Sequence, residues 1–332
     1  MKIVIPGGTG QVGTVLARAF MADGHEVVVL SRNPGKAPWR IVHWDGAAVT
    51  AWAAEIDGAD AVINLAGRSV DCRYHAENRR LIMESRINST RAIGQAIANA
   101  ARPPGVWLQA STATIYAHRY DGPNDETTGI FGGSEADAPD TWRFSIEVAK
   151  AWEQAANEAI VPGTRKVLLR SAMTMSPDRG GVFDILLGLV RWGLGGASGD
   201  GRQFVSWIHD RDFIRAVYYL MDHQELDGPV NLASPNPVSN ADFMRTLRVA
   251  WGIGFGLPAA KWMLEIGAFF LRTETELILK SRRVVPDRLV QSGFVFQFPT
   301  WTEAAADLCR RWRELHQHRA KDADILANCI NH

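Results

Sequence analysis

Seven residues near the N-terminus, Gly7-Gly8-Thr9-Gly10-Gln11-Val12-Gly13, constrain this chain more than any other stretch. They follow a short apolar run, Lys2 to Ile5, and lead into a helical pattern with Val12, Val15, Leu16 and Ala19 on one side. A strand that turns sharply into a helix through glycines is the opening of a βαβ unit. Gly7 lets the chain leave the strand in a tight turn, Gly10 removes a side chain where backbone must approach a ligand, and Gly13 allows close helix-to-strand packing. The start of the helix aims free N–H groups and a positive dipole end at an anion. In this setting the turn predicts a dinucleotide pyrophosphate site, with Thr9, Gln11 and Val12 beside the three glycines.

The next strand, Glu26 to Leu30, indicates which dinucleotide. An NAD site usually ends this strand with an acid that holds the ribose 2′-OH. Here the chain reads Leu30-Ser31-Arg32, with Lys36 four residues later. Ser31 and the Arg32 guanidinium suit a 2′-phosphate through charge-assisted hydrogen bonds. NADP(H) is therefore expected ahead of NAD(H).

Further strands are expected at Ile41–His43, Ala59–Leu65, Val106–Ala110 and Lys166–Leu169, with helices over Glu77–Asn99 and Ile146–Ala159. Continuous apolar strands alternating with helices are the pattern of a doubly wound parallel sheet, so the fold class is a Rossmann-type α/β fold. Residues 1–170 should form this unit, with later segments returning to the sheet. Residues 171–275 read as a substrate-side region, 276–312 as a small, partly helical C-terminal domain, and 313–332 as a polar tail.

Lys plus Arg number 36 and Asp plus Glu number 36, which argues against a broad nucleic-acid face and against a polybasic membrane anchor. The apolar stretch Trp262 to Leu271 contains Glu265 and is shorter than the roughly 20 residues a membrane span needs. Cys72, Cys309 and Cys329 have neither paired spacing nor histidines beside them, so no metal site or disulfide framework is expected. These features predict a protein of the cytoplasm acting on a small molecule, and leave a homodimer open.

The GxxGxxG spacing, rather than GxGxxG, resembles the extended short-chain dehydrogenase/reductase superfamily. Asn64-Leu65-Ala66-Gly67 is similar to its NxAG turn, which borders the cofactor. Ala110-Ser111-Thr112-Ala113-Thr114-Ile115-Tyr116 is similar to its SSxxVY run, where Thr112 matches the hydroxyl residue at the reacting carbonyl. Arg170-Ser171-Ala172-Met173 resembles the stretch passing the nicotinamide, which implicates Ala172 and Met173. More narrowly, Ser85-Arg86-Ile87, Thr90-Arg91, Gly199-Asp200-Gly201-Arg202-Gln203 and Ser206-Trp207-Ile208-His209 resemble the atypical epimerase-family (YfcH-like) branch. That branch carries a C-terminal domain of undefined role, which Arg282 to Phe294 resembles.

The resemblance implies a Tyr-x-x-x-Lys pair on a helix, in which Lys stabilises the phenolate and holds the ribose. The matching segment, Phe144-Ser145-Ile146-Glu147-Val148-Ala149-Lys150, keeps Lys150 but has Ile146 at the tyrosine position. Isoleucine cannot move a proton, so the usual acid/base is absent. Thr112, Lys150 and Tyr116 are the catalytic candidates, with Glu147, Tyr120 and His209 as further proton carriers. Arg86, Arg202 and His209 are candidates for substrate contact, Arg91 a further anion clamp, and Trp207 the one tryptophan expected near the site. Two readings follow: an NADP(H)-dependent oxidoreductase or epimerase-like enzyme without the tyrosine, or an NADP(H)-binding sensor or interaction protein with little turnover.

Overall fold

Ile3, Val4 and Ile5 are all sealed from solvent, which explains why β1 (Lys2–Pro6) is an unbroken apolar run. The computed structural model describes residues 1–135, 138–259 and 280–330, with side chains to 317. Within it β1 lies at the centre of a parallel seven-stranded sheet. Its neighbours are β2 (Glu26–Ser31) on one side and β4 (Ala61–Asn64) on the other. Beyond β2 comes β3 (Arg40–His43), and beyond β4 come β5 (Val106–Thr112) and β6 (Arg165–Ser171). The order reverses between β1 and β4, the crevice where open α/β sheets hold ligands. The last strand, β10 (Gly228–Leu232), returns to the sheet edge from the later half of the chain and pairs with β6.

Side-chain alternation along β1 feeds two cores. Ile3 and Ile5 pack with Leu16 and Phe20 of α1 (Gln11–Ala22) and with Phe213, Val217 and Leu220 of α5 (Asp210–Asp222). Val4 faces the other way, into a core with Ile93 and Ile97 of α2 (Ala76–Asn99), Trp107 of β5, and Ala156 of α3 (Asp140–Glu158). The period of two places successive residues on opposite faces, and helices cover both.

The later half of the chain has a third core. Phe183, Leu187 and Val190 of α4 (Val182–Arg191) meet Phe243 and Leu247 of α6 (Asn240–Trp251). Trp301, Leu308 and Trp312 of the terminal helix (Trp301–Ile330) complete it. The segment expected as a polar tail is thus the continuation of a helix whose first three turns are core. Trp207, expected near the site, is fully buried in this core with its ring 5.0 Å from Trp301. Trp207 belongs to β9 (Trp207–His209), which pairs with β7 (Met173–Met175), and β8 (Phe204–Val205) pairs with β11 (Val238–Ser239). The Trp262–Leu271 stretch and the expected boundary at 275 lie outside the described residues.

Candidate functional site

The turn after β1 is built by glycines without room for side chains. Gly7 has φ +76°, and a Cβ there would come within 2.6 Å of Ala66 Cα. A Cβ on Gly13 would run into Gly8, so the first turn of α1 lies directly on the strand exit. Gly10 differs: a Cβ would meet only Gly7 O at 3.7 Å, so this glycine fronts open space. Gln11 Nε2 is buried and has no hydrogen-bond partner among the described residues. It lies so close to Gly181, the N-cap of α4, that a side chain at 181 would collide with it. An orphaned donor at the mouth of a glycine cradle, beside an N-terminal helix turn, fits a pyrophosphate. The segment after β7 is tied down over α1 by the Arg18–Asp178 ion pair at 3.2 Å.

At the end of β2, the Thr9 and Ser31 hydroxyls lie 3.2 Å apart, which joins the glycine turn to the neighbouring strand. Ser31 Oγ also caps Asn33 N at 3.3 Å and so shapes the turn that carries Arg32. Arg32 is exposed. Its guanidinium makes no ion pair among the described residues, and the segment Ser31 to Lys36 contains no acid.

The turn after β4 is rigid for a local reason. Asn64 is fully buried, accepts the Ala66 amide at 3.1 Å, and donates to Gln109 Oε1 at 2.9 Å. Leu65 and Ala66 therefore hold a fixed path against Gly7. Arg86 closes the turn from below: its Nη1 donates to Arg68 O at 3.0 Å and Ile82 O at 3.1 Å. Its guanidinium stacks over Trp152 at 4.9 Å, and a Cβ on Gly67 would meet it at 3.3 Å. Arg86 has no carboxylate partner among the described residues, and burial pushes it down to about 10. Arg91, by contrast, lies exposed on the outside of α2, 3.8 Å from Glu158, which takes it away from the cleft.

At the end of β5, Thr112 Oγ1 accepts the Thr114 amide at 3.1 Å and caps the 3-10 turn Ala113–Ile115. Its hydroxyl proton is left for another acceptor. Ala172 and Met173 follow β6, and Ala172 packs against a small buried cluster that includes Ala113, Ile115, Tyr116 and Ala149.

That cluster corrects the reading of α3. Ala149, not Lys150, is the fully buried residue facing the turn after β5. Ser145 stands one helical turn before it on the same side. Lys150 is exposed and its Nζ donates to Gly132 O at 3.0 Å, so it is directed at the Phe131–Gly133 turn. Ile146 is buried under that turn: a Cβ on Gly132 would meet Ile146 Cδ1 at 2.6 Å. The cause is helix rotation, set by Phe144 and Val148 packing on Ile82 and Tyr74 and by Trp152 donating to Thr90 Oγ1 at 3.1 Å. The apolar phase 144, 148, 152, 155 marks the side that packs on α2, with the small residues 145, 149 and 156 beside it, but does not say which of Ala149 and Lys150 turns to the cleft. Glu147, on the opposite side, is exposed.

Tyr116 is buried within a polar network. Its hydroxyl donates to Asn231 Oδ1 at 2.9 Å and accepts from Arg170 Nη1 at 2.8 Å. Arg170 pairs bidentately with Glu153 at 2.8 Å, and Ser111 Oγ donates to Glu153 Oε1 at 2.6 Å. Burial raises the Tyr116 phenol above its usual range despite the Arg170 charge beside it. His209 is sealed between Phe298, stacked at 3.8 Å, and Asp307, 3.1 Å from Nε2, while Nδ1 accepts the Arg211 amide at 3.1 Å. Its complete burial removes it from substrate contact. Arg202 remains exposed, its guanidinium 5.8 Å from the Tyr120 ring, on the loop that also carries Asp200.

Residues not singled out as site candidates gather on Thr114 and His118. Lys280 Nζ donates to Thr114 O at 2.8 Å, Arg282 Nε to Thr114 Oγ1 at 3.3 Å, and the Ser281 amide to His118 Nδ1 at 2.7 Å. The two groups lie 163 to 168 residues apart in the chain, so no local pattern could pair them. Among the described residues no His, Cys, Asp and Glu group could hold a metal ion, and no helix is long and apolar enough to cross a membrane.

Sheet order, glycine cradle and NxAG-type turn together define a Rossmann-type protein of the extended short-chain dehydrogenase/reductase class. Residues 3–135 match the NAD dependent epimerase/dehydratase family, and residues 259–308 match a domain of unknown function, DUF1731. The human epimerase family protein SDR39U1 is 31% identical over 304 residues, spanning 90% of this chain and 96% of that protein. The epimerase family protein YfhF of Bacillus subtilis is 30% identical over 305 residues, spanning 90% and 94%. The crystal structure of human SDR39U1 (isoform 2) with NADPH superposes with a TM-score of 0.81 at 28% identity, covering 93% of this chain and 99% of that one. The chain belongs to this epimerase family.

Proposed function

We propose that the protein binds NADP(H) across the β1/β4 crevice and acts as an oxidoreductase or epimerase-type enzyme on a small molecule. The single observation that carries the cofactor choice is Arg32, an exposed guanidinium at the tip of β2 without an acidic neighbour in its segment. Gly7, Gly10 and Gly13 would admit the pyrophosphate, Gln11 Nε2 and the start of α1 would bind it, and Thr9 and Ser31 would border the adenosine ribose. Leu65, Ala66 and Gly67 would line the middle of the site. The human relative crystallised with NADPH supports the same choice. When bound, the nicotinamide supplies hydride transfer.

Thr112 is the residue of this chain best placed to act on a substrate oxygen, because its hydroxyl proton is not consumed by the turn it caps. Lys150 and Tyr116 have no chemical role in this reading: Lys150 Nζ is directed at Gly132 O, and the Tyr116 hydroxyl is held between Asn231 and Arg170. The Ser145 and Ala149 positions favour a second reading, a cofactor-binding module with little turnover, because neither side chain reproduces the Tyr–Lys pair.

The test is calorimetric titration with NADPH and NADH. NADPH should bind at least tenfold tighter, and Arg32→Ala should reduce that ratio by about 10- to 100-fold, the range of a hydrogen bond to a charged group. Equal affinities in the wild-type protein would exclude the assignment. Slow exchange of the nicotinamide C4 hydrogen with every carbonyl and alcohol tried would favour the second reading.

A further inference from the structure

Large apolar side chains stand exposed along one side of α4. Val182, Ile185 and Leu189, with Trp192 at the C-cap, recur at spacings of three and four and so share that side. The stripe lies opposite Phe183, Leu187 and Val190, which fill the third core. Trp192 is 84% exposed, so its indole rests on almost nothing. The apolar surface continues past the helix end. The Leu194 amide donates to Leu189 O at 2.9 Å, and the Leu257 amide donates to Gly193 O at 2.8 Å. Phe255 is 68% exposed, and a Cβ on Gly193 would meet its ring at 2.9 Å. Leu194 and Leu257 are exposed as well.

The helix keeps its charges off this side. Asp184 accepts the Trp312 indole N–H at 2.7 Å and the Gly180 amide at 2.9 Å. Arg191 lies over the Trp312 ring at 4.6 Å. Both charged side chains of α4 are thus held at Trp312, away from the stripe. The outer sides of α2 and α3 are the contrary case, because Arg91, Gln95, Glu147, Gln154 and Glu158 are exposed there and make a solvated surface.

With about 150–250 Å² for a fully exposed residue of this size, the stripe and its continuation present on the order of 700 Å² of apolar surface. The largest apolar patch of an ordinary monomer is roughly 300–600 Å². A stable interface takes about 800 Å² from each partner. A helix that lies on a membrane carries a row of Lys and Arg beside its apolar side, whereas α4 carries Arg191 alone, turned onto Trp312. An uncharged face of this area is complementary to itself. Paired about a two-fold axis, each copy covers the apolar stripe of the other, and no charge of α4 is stranded between them.

We infer that this face of α4, extended by Leu194, Phe255 and Leu257, is a homodimer interface, covered in solution by the same face of a second copy. Trp192 is its anchor, being the largest and most exposed side chain of the stripe.

The experiment is sedimentation velocity of the full chain over a range of concentrations. A dimer at about 10 μM is expected, the weak end of the μM-to-pM range that interfaces of this size span. Trp192→Asp should raise the dissociation constant about 30-fold or more, the loss of a tryptophan hot spot. Ile185→Asp should act in the same direction, and it decides the matter should Trp192→Asp not fold. Ile160→Asp alters an equally exposed residue just beyond α3, at 85%, and should leave the dimer unchanged. A dimer that survives both α4 substitutions overturns the proposal and puts the interface elsewhere. A wild-type protein that stays monomeric throughout also overturns it. Flotation of that monomer with vesicles of phosphatidylcholine and phosphatidylglycerol would then give the face to a membrane, and no flotation would leave it to residues 260–279 of the same chain.

Discussion

The Tyr116 hydroxyl receives a hydrogen bond from Arg170 at 2.8 Å and gives its own proton to Asn231 at 2.9 Å. Both valences are thus spent inside the protein, linking β6 to β10 beneath the C-terminal ends of the sheet. Tyr116→Phe leaves a buried guanidinium N–H and a buried amide oxygen unsatisfied, at a cost of about 1–3 kcal/mol. Urea unfolding should show that loss, while NADPH affinity stays within twofold. An unchanged midpoint together with lost turnover would return Tyr116 to the catalytic candidates.

Glu153 makes a sharper case. It is buried, takes both arms of Arg170, and also accepts the Ser111 hydroxyl. Removing one partner of such a pair strands the other charge in the interior, which costs about 3–5 kcal/mol. Glu153→Ala should therefore destabilise more than Tyr116→Phe in the same unfolding measurement. The reverse order would mean that water reaches Arg170 and screens it.

What could be read in the sequence was local. The run from Gly7 to Gly13 fixed strand, turn and helix together, because each glycine answers a backbone demand within a few residues of itself. The rotation of α3 was not legible, although its residues were identified: whether Ala149 or Lys150 faces the cleft depends on how Phe144, Val148 and Trp152 seat against α2. A one-residue difference in phase rotates a side chain by about 100°. The His118–Ser281 bond joins positions 163 residues apart, and no periodicity reports such a pair. His209 sat in a motif-like run and proved to be core, since Asp307 and Phe298, its partners, lie far along the chain.

Two glycines with nearly equal φ separate backbone strain from crowding. Gly7 (φ +76°) abuts Ala66, whereas Gly24 (φ +78°) has nothing within 4 Å of its missing Cβ. Gly24→Ala should cost only the left-handed backbone penalty, about 1–2 kcal/mol. Gly7→Ala adds a collision with the turn after β4, for about 2–5 kcal/mol in all, and should abolish NADPH binding. Unfolding curves and calorimetry on the two variants check this; equal stability losses would show that the Ala66 turn yields.

Acid should weaken the protein through His209. Burial holds its ring below the usual histidine range, although Asp210 and Asp307 pull the other way. The Arg211 amide, which donates to Nδ1, favours a neutral ring with Nε2 left to donate to Asp307, while Asp210 Oδ1 lies 3.1 Å from the same Nδ1. A depressed folded-state value means that the unfolded chain takes up the proton first. The stabilisation is therefore complete above the unfolded value near 6.5 and is lost as pH falls through the lower folded value. His209→Asn keeps an acceptor for the Arg211 amide and removes the titration. Wild-type stability should exceed that of the variant at pH 7.5, and the gap should narrow steadily toward pH 5 in urea unfolding at fixed ionic strength. A gap that widens on acidification would mean that the ring is protonated in the fold and paired with Asp307 as a cation, reversing the assignment.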